Sequence, residues 1–245
     1  MVACLLASFL FSGPVTKTFN VDGVERTAII YPSDSAAPAP VVFFFHGHFG
    51  KAQASAREGR IRNAWPEATV VYPQGLITDS PLLGKGTGWQ RTFGDLGDRD
   101  LKFVDAMLAS VKQDFHADPA KIYACGMSNG AFFTLLLLAA RPNDFAAFAS
   151  VAGIGGTFLR QLATPRPVMI VNGRADKLVP IAAAERTGNF LVRFYQAVQP
   201  GTKSGDFVWY DTKVGPRTLG VEVHDGGHIW PASADADIVQ FFKAH

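Results

Sequence analysis

Lys121-Ile122-Tyr123-Ala124-Cys125-Gly126-Met127-Ser128-Asn129-Gly130-Ala131-Phe132-Phe133-Thr134-Leu135-Leu136-Leu137-Leu138 is the stretch on which the reading of this chain turns. Residues 121–125 have the character of a buried strand, and residues 131–138 read as a helix. Between them lies a G-x-S-x-G run. In a strand–turn–helix setting this is the form of a nucleophile elbow, a sharp turn that lifts one serine hydroxyl above a sheet. The serine backbone of such a turn is strained, and a Cβ at either flanking glycine would crowd it. The five-residue run is common by itself, so its meaning depends on what the rest of the chain supplies.

Outward from the elbow, strand and helix signals alternate. Val41-Val42-Phe43-Phe44-Phe45 is a continuous apolar run, as expected of a central parallel strand buried on both faces. Residues 15–20 and 24–31 flank Val21-Asp22-Gly23 and read as an antiparallel hairpin. A helix is predicted over 52–64, a strand over 68–73 and a Gly/Ser/Thr-rich loop over 76–92. Residues 101–115 have helical periodicity that ends before Asp118-Pro119. Strands follow at 145–151 and 167–171, a helix at 182–197, strands at 207–210 and 218–224, and a helix at 234–243. This alternation implies an α/β fold: a mainly parallel twisted sheet with helices on both faces. With no repeat or linker, residues 14–245 form one predicted domain, and residues 33–40 a surface loop.

Composition narrows the function classes. The 245 residues are 48% apolar and 18% charged, which fits a globular chain with a substantial core. A formal charge of +2 without like-charge runs gives no basis for nucleic-acid binding. Two cysteines, Cys4 and Cys125, make neither a disulfide framework nor a metal site, and Cys125 reads as a small buried thiol. Residues 2–11 are an apolar run that resembles the tail of a secretory signal, although no Lys or Arg precedes it and no A-x-A site follows. Residues 1–13 are therefore expected to be a weak or truncated export signal, too short to span a bilayer, and the protein to be secreted or periplasmic.

A serine nucleophile needs a base to take its proton and an acid to orient that base. In an α/β-hydrolase they follow in the order Ser, Asp or Glu, His, each in a loop beyond the carboxyl end of a strand. After the strand at 167–171 comes Asn172-Gly173-Arg174-Ala175-Asp176, and after the strand ending at His224 comes Asp225-Gly226-Gly227-His228. Asp176 and His228 are the candidates. The bland rivals are a helix cap for Asp176 and His224 as the base; His224 is expected to pack or cap at its strand end. Two backbone N–H groups should form an oxyanion hole. One is that of Asn129. The other lies in His46-Gly47-His48-Phe49-Gly50, where the His48 amide is preferred and Phe49 is the alternative. His46 is expected to brace this loop. A His46/His48 metal pair is a weak rival, because no nearby Asp or Glu completes a site. His116 and His245 read as surface residues. Trp89 and Trp230 are core aromatics or pocket walls, and the wall reading groups them with Phe49. Only about fifteen residues separate the strands at 145–151 and 167–171, which leaves little room for a cap.

Several segments together resemble a known family of α/β-hydrolase esterases, which includes polyhydroxybutyrate depolymerases, feruloyl esterases and related carbohydrate esterases. They are Phe45-His46-Gly47, the run from Asp118-Pro119-Ala120-Lys121-Ile122-Tyr123 into Gly126-Met127-Ser128-Asn129-Gly130, the loop bearing Asp176, and Gly227-His228-Ile229-Trp230-Pro231. Asp98-Arg99-Asp100-Leu101-Lys102-Phe103-Val104 is similar to the helix entry of the same group. The resemblance implies a secreted serine esterase with a Ser128–His228–Asp176 triad and no cofactor. Its substrate would be a small or polymeric ester, with bulky or aromatic esters favoured by an open cleft. It is expected to be a monomer. A peptidase or amidase of the same fold and a non-catalytic binding protein are the alternatives.

Overall fold

The computed structural model describes residues 13–35 and 37–245. The expected export segment therefore lies, except for Gly13, outside the described residues. Along the chain the elements are β1 (Val15–Val21), β2 (Val24–Tyr31), β3 (Ala39–Phe45), α1 (Ala52–Glu58), β4 (Thr69–Pro73), β5 (Leu76–Ser80) and β6 (Gly84–Gly88). Then follow α2 (Arg99–Asp114), β7 (Ala117–Met127), α3 (Asn129–Ala140), β8 (Ala147–Val151), β9 (Val168–Gly173) and α4 (Ile181–Phe194). The last are β10 (Thr202–Ser204), β11 (Phe207–Thr212), β12 (Gly215–His224) and α5 (Ala234–Lys243).

Ten strands form one sheet in the order β1-β2-β4-β3-β7-β8-β9-β12-β11-β10. The strands from β4 through β12 in that order are parallel to their neighbours, and antiparallel strands close both edges. The apolar run of β3 is explained by its two-residue side-chain period. Val41, Phe43 and Phe45 face a core completed by α2, α3 and α4, while Val42 and Phe44 face a second core completed by α1 and α5. All five are buried. Burying a Phe or Val of this kind contributes roughly 1.5–3 kcal/mol relative to leaving it in water. No helix among the described residues is long and apolar enough to cross a membrane.

Three expectations are corrected. The helix predicted over 52–64 ends at Glu58, because Gly59 adopts the left-handed conformation (φ 66°) and returns its N–H to Ala56 O. The predicted loop at 76–92 contains the β5–β6 hairpin, paired from Leu76↔Gly88 to Ser80↔Gly84. The strand read at 121–125 is longer than expected: β7 starts at Ala117 and takes in Asp118-Pro119, with Pro119 solvent-exposed. The segment between β8 and β9 contains only a short 3-10 turn at Thr157–Gln161, which leaves the carboxyl ends of the central strands uncapped from that side.

A buried ion pair secures the entry to α2. Arg26 Nη2 donates to Asp100 Oδ1 at 2.8 Å, with both side chains essentially inaccessible. The guanidinium also lies 4.2 Å from the centroid of the Phe103 ring. Asp100 Oδ2 accepts the Gln90 backbone N–H at 2.7 Å, and Gln90 Oε1 accepts the N–H groups of Asp100 (3.1 Å) and Leu101 (3.2 Å). One carboxylate thus joins β2, the start of α2 and the segment that leaves β6. Replacing Asp100 by Asn would leave the buried Arg26 guanidinium without its counter-charge. The expected result is a loss of about 3–5 kcal/mol of unfolding free energy, measured by urea denaturation.

Candidate active site

β7 runs up the middle of the sheet, and at its end Ser128 adopts φ 55° and ψ −120°, a conformation that costs a non-glycine residue on the order of 1–3 kcal/mol. Its neighbours explain why both flanking positions are glycine. A Cβ on Gly130 would stand 2.1 Å from the Phe45 carbonyl oxygen, and one on Gly126 would stand 2.6 Å from the Gly130 carbonyl. The chain therefore turns straight into α3, directing the positive end of the helix at the serine.

The acid and base loops meet at the same place. His228 accepts the Ser128 hydroxyl on Nε2 at 2.8 Å and donates from Nδ1 to Asp176 Oδ2 at 2.7 Å. The other Asp176 oxygen accepts the N–H groups of Leu178 and Val179, both at 2.8 Å, so the carboxylate cannot rotate freely. Ala175 N–H donates to Gly226 O at 3.0 Å and Arg174 N–H to His224 O at 2.7 Å, which laces one loop to the other. A Cβ on Gly173 would stand 2.4 Å from both the Gly226 and Gly227 carbonyls, so this approach requires glycine there. His224 stands outside the Ser128–His228–Asp176 hydrogen-bond chain; its Nδ1 accepts the Gly226 N–H at 3.0 Å within the loop that carries His228.

The loop after β3 passes beside the serine: a Cβ on Gly47 would stand 3.3 Å from Ser128 Cβ. His46 is buried, and burial pushes its pKa down to about 4, against the opposing pull of its bond to the Gly47 carbonyl. Nε2 accepts the Gly75 N–H at 3.0 Å, which leaves Nδ1 to donate to Gly47 O at 2.8 Å. The ring is neutral with both nitrogens engaged, so it is unsuited to share a metal with His48. The imidazole of His48 points instead to the hairpin, bonding Gly84 O at 2.9 Å through Nε2. Phe49 N–H donates to Thr87 O at 2.8 Å and is thereby unavailable to an oxyanion. Among the described residues the His48 amide has no such partner.

Substrate-wall expectations fare differently. Trp89 is fully buried; its indole N–H donates to His46 O at 2.8 Å, and its ring packs on Phe45 and Phe133. Its place in the core follows from that carbonyl, the polar partner a buried indole needs. Trp230 packs on Phe44 and under the Arg60 guanidinium, and so turns away from the cleft. Phe49 is exposed at 56%, but its ring lies against His48 and Gly86, outside the cleft wall. His116 is exposed as expected; His245 is half-buried, with its ring against Phe241.

The cleft holds about 140 Å³ and runs from Ser128, Asn129 and Phe132 to Leu178 and Val179, roofed by the hairpin tip at Thr78 and Pro81–Leu83. Two features of it escaped the sequence reading. Asn129 does more than offer its amide: its side chain accepts Trp89 N–H at 2.7 Å and donates to Trp89 O at 3.1 Å, fastening the elbow to the end of β6. The hairpin itself was signalled by Gly84, Gly86 and Gly88, spaced two apart as on one face of a strand. A Cβ on Gly86 would stand 2.3 Å from the Phe49 ring and one on Gly88 2.7 Å from Asn129 Oδ1.

The fold matches solved structures along nearly the whole chain. An acetyl xylan esterase from Aspergillus awamori superposes with a TM-score of 0.72 at 16% identity, covering 95% of this chain and 99% of that one. The chain has the α/β-hydrolase fold. Its sequence relatives are esterases. It is 27% identical to the putative esterase NocK of Nocardia uniformis subsp. tsuyamanensis, over 78% of this chain and 65% of that protein. It is 25% identical to the bifunctional acetylxylan esterase/xylanase XynS20E of Neocallimastix patriciarum, over 89% of this chain and 34% of that protein. The α/β-hydrolase chain thus spans less than two thirds of the length of these relatives. The prolyl oligopeptidase family model matches residues 83–164, a stretch that includes the elbow but neither Asp176 nor His228.

The elbow geometry is directly testable. Gly130→Ala must push β3 and α3 apart. It is expected to lower stability by more than about 2 kcal/mol in thermal or chemical unfolding, well beyond the ~1 kcal/mol scale of an ordinary surface change.

Proposed function

We propose that this chain is a serine carboxylic-ester hydrolase. The observation that carries the reading is the unbroken hydrogen-bond chain Ser128–His228–Asp176, ending in a cleft at the N-terminus of α3. Ser128 Oγ attacks the ester carbonyl as its proton passes to His228 Nε2. Asp176 holds the imidazole with Nε2 free to accept and stabilises the imidazolium that forms. The developing oxyanion sits against the amides of Asn129 and His48, where each such donor is worth roughly 3 kcal/mol in the transition state. The imidazolium then protonates the leaving alcohol. His228 next takes a proton from water, which attacks the acyl-enzyme and releases the acid.

The shape of the cleft favours one part of the expected substrate range. With Trp89 and Trp230 directed elsewhere, the walls are mainly aliphatic and polar, which suits an acetyl or short aliphatic acyl group better than a cinnamoyl ring. The absence of a cap between β8 and β9 leaves space for a bulky or polymeric alcohol, and acetylated polysaccharides or hydroxyalkanoate oligomers are the proposed substrate classes. The names of the relatives agree with ester hydrolysis, and the prolyl oligopeptidase match keeps amide cleavage as the rival to be tested. Export rests on the apolar run at residues 2–11.

Ser128→Ala should reduce turnover of 4-nitrophenyl acetate and butyrate by at least about 10³-fold. Its circular dichroism should match that of the parent. Turnover within tenfold of the parent would refute the nucleophile assignment, and preferential cleavage of 4-nitroanilides by the parent would favour the amidase.

A further inference from the structure

The charges that line the cleft are unequal in their circumstances. The cleft that contains Ser128 is lined, besides His48, by two charged side chains, Asp79 and Arg91. Asp79 stands directly opposite Lys85 in the β5–β6 register, so an opposite charge is its cross-strand neighbour. Arg91 has no such neighbour. Its backbone N–H donates to Asp95 Oδ2 at 3.1 Å, but its guanidinium makes no hydrogen bond or ion pair among the described residues.

The position of Arg91 is nevertheless firmly built. Trp89 is held on both its backbone groups by the Asn129 side chain. Gln90 is fully buried, with its N–H on Asp100, its amide NH₂ on Asp98 Oδ1 at 2.8 Å and its amide oxygen on two N–H groups of α2. The two residues before Arg91 are therefore fixed to the elbow on one side and to the Arg26–Asp100 pair on the other. A firmly held backbone presents a solvent-exposed guanidinium fork, without a protein partner among the described residues, at a cleft that also contains Ser128. Such a fork matches a carboxylate with two parallel N–H···O bonds.

We propose that Arg91 anchors a carboxylate carried by the ester substrate, making this site selective for anionic esters. The inference rests on the esterase reading of the site and sharpens it. The carboxylate has two chemical sources. It belongs to the acyl part in half-esters of dicarboxylic acids, or to the alcohol part in acetylated uronic acids. Arg91 acts by binding and takes no part in proton transfer.

The test compares kcat/KM within two matched pairs. Mono-4-nitrophenyl glutarate against 4-nitrophenyl pentanoate places the charge on the acyl side. An acetylated methyl glucuronoside against the same acetylated methyl glucoside places it on the alcohol side. In Arg91→Gln the anionic-to-neutral ratio should fall about tenfold in one pair, carried mostly by KM, and Arg91→Lys should restore part of it. Raising ionic strength should erode the same ratio in the parent, since the arginine is exposed. A ratio that moves less than twofold in both pairs overturns the role of Arg91. If the parent hydrolyses neutral esters while the ratio stays fixed, only this inference falls. If it hydrolyses none of the four, the esterase reading falls with it.

Discussion

The contact on which the site depends is the one between Gly130 and the end of β3. The first turn of α3 lies so close to the Phe45 carbonyl that even one methyl group has no room, since a Cβ would stand 2.1 Å from that oxygen. This proximity forces the chain to reverse within the span of a single residue. Ser128 bears the strain, with φ 55°. Burial on both sides holds it in place: Phe45 and Phe133 pack in one core, and Cys125 at the end of β7 lies in the other. A strained residue persists only when its surroundings over-determine it, and here a ten-stranded sheet supplies that constraint.

The same neighbourhood sets the rest of the machinery. Because α3 starts against β3, the loop leaving β3 must pass beside Ser128, and His46 fixes its path. Burial keeps that imidazole neutral, one nitrogen accepts from Gly75 and the other donates to Gly47, so the ring works as a brace. Trp89 reaches the His46 carbonyl from the far end of the hairpin, and Asn129 clamps the Trp89 backbone in turn. Hydrogen bonds therefore tie the elbow, the β3 loop and the end of the β5–β6 hairpin to one another. The bonds of His46 to the Gly75 N–H and the Trp89 indole are buried, where an unmade hydrogen bond costs about 1–3 kcal/mol, and they hold the cleft in shape.

Much of this was legible from local pattern. The strand–turn–helix setting of Ser128, the apolar run of β3 and the loop positions of Asp176 and His228 all follow from periodicity and chain order, and the resemblance to the esterase group drew on those same motifs. What escaped were contacts between distant segments. Trp230 lies two residues from His228 and Trp89 in a stretch that reads as a loop, but neither position along the chain says which way a ring turns. Trp89 turned inward to the His46 carbonyl and Trp230 to Phe44. The hairpin at 76–88 was hidden because its second strand is glycine-rich, a composition that signals a loop. Gly86 and Gly88 are there because Phe49 and Asn129 press on that strand, and Gly84 because the turn takes a positive φ of 76°. Arg26, Gln90 and Asp100 form a network across three elements, and no local pattern could announce it.

The central claim is that the strained residue at the end of β7 is a nucleophile activated by His228. The most direct measurement is stoichiometric labelling with a fluorophosphonate, followed by intact mass determination and peptide mapping. The account predicts a single adduct per chain, on Ser128, forming far more slowly in His228→Ala. An unlabelled chain, an adduct on another serine, or unchanged labelling in His228→Ala would contradict it.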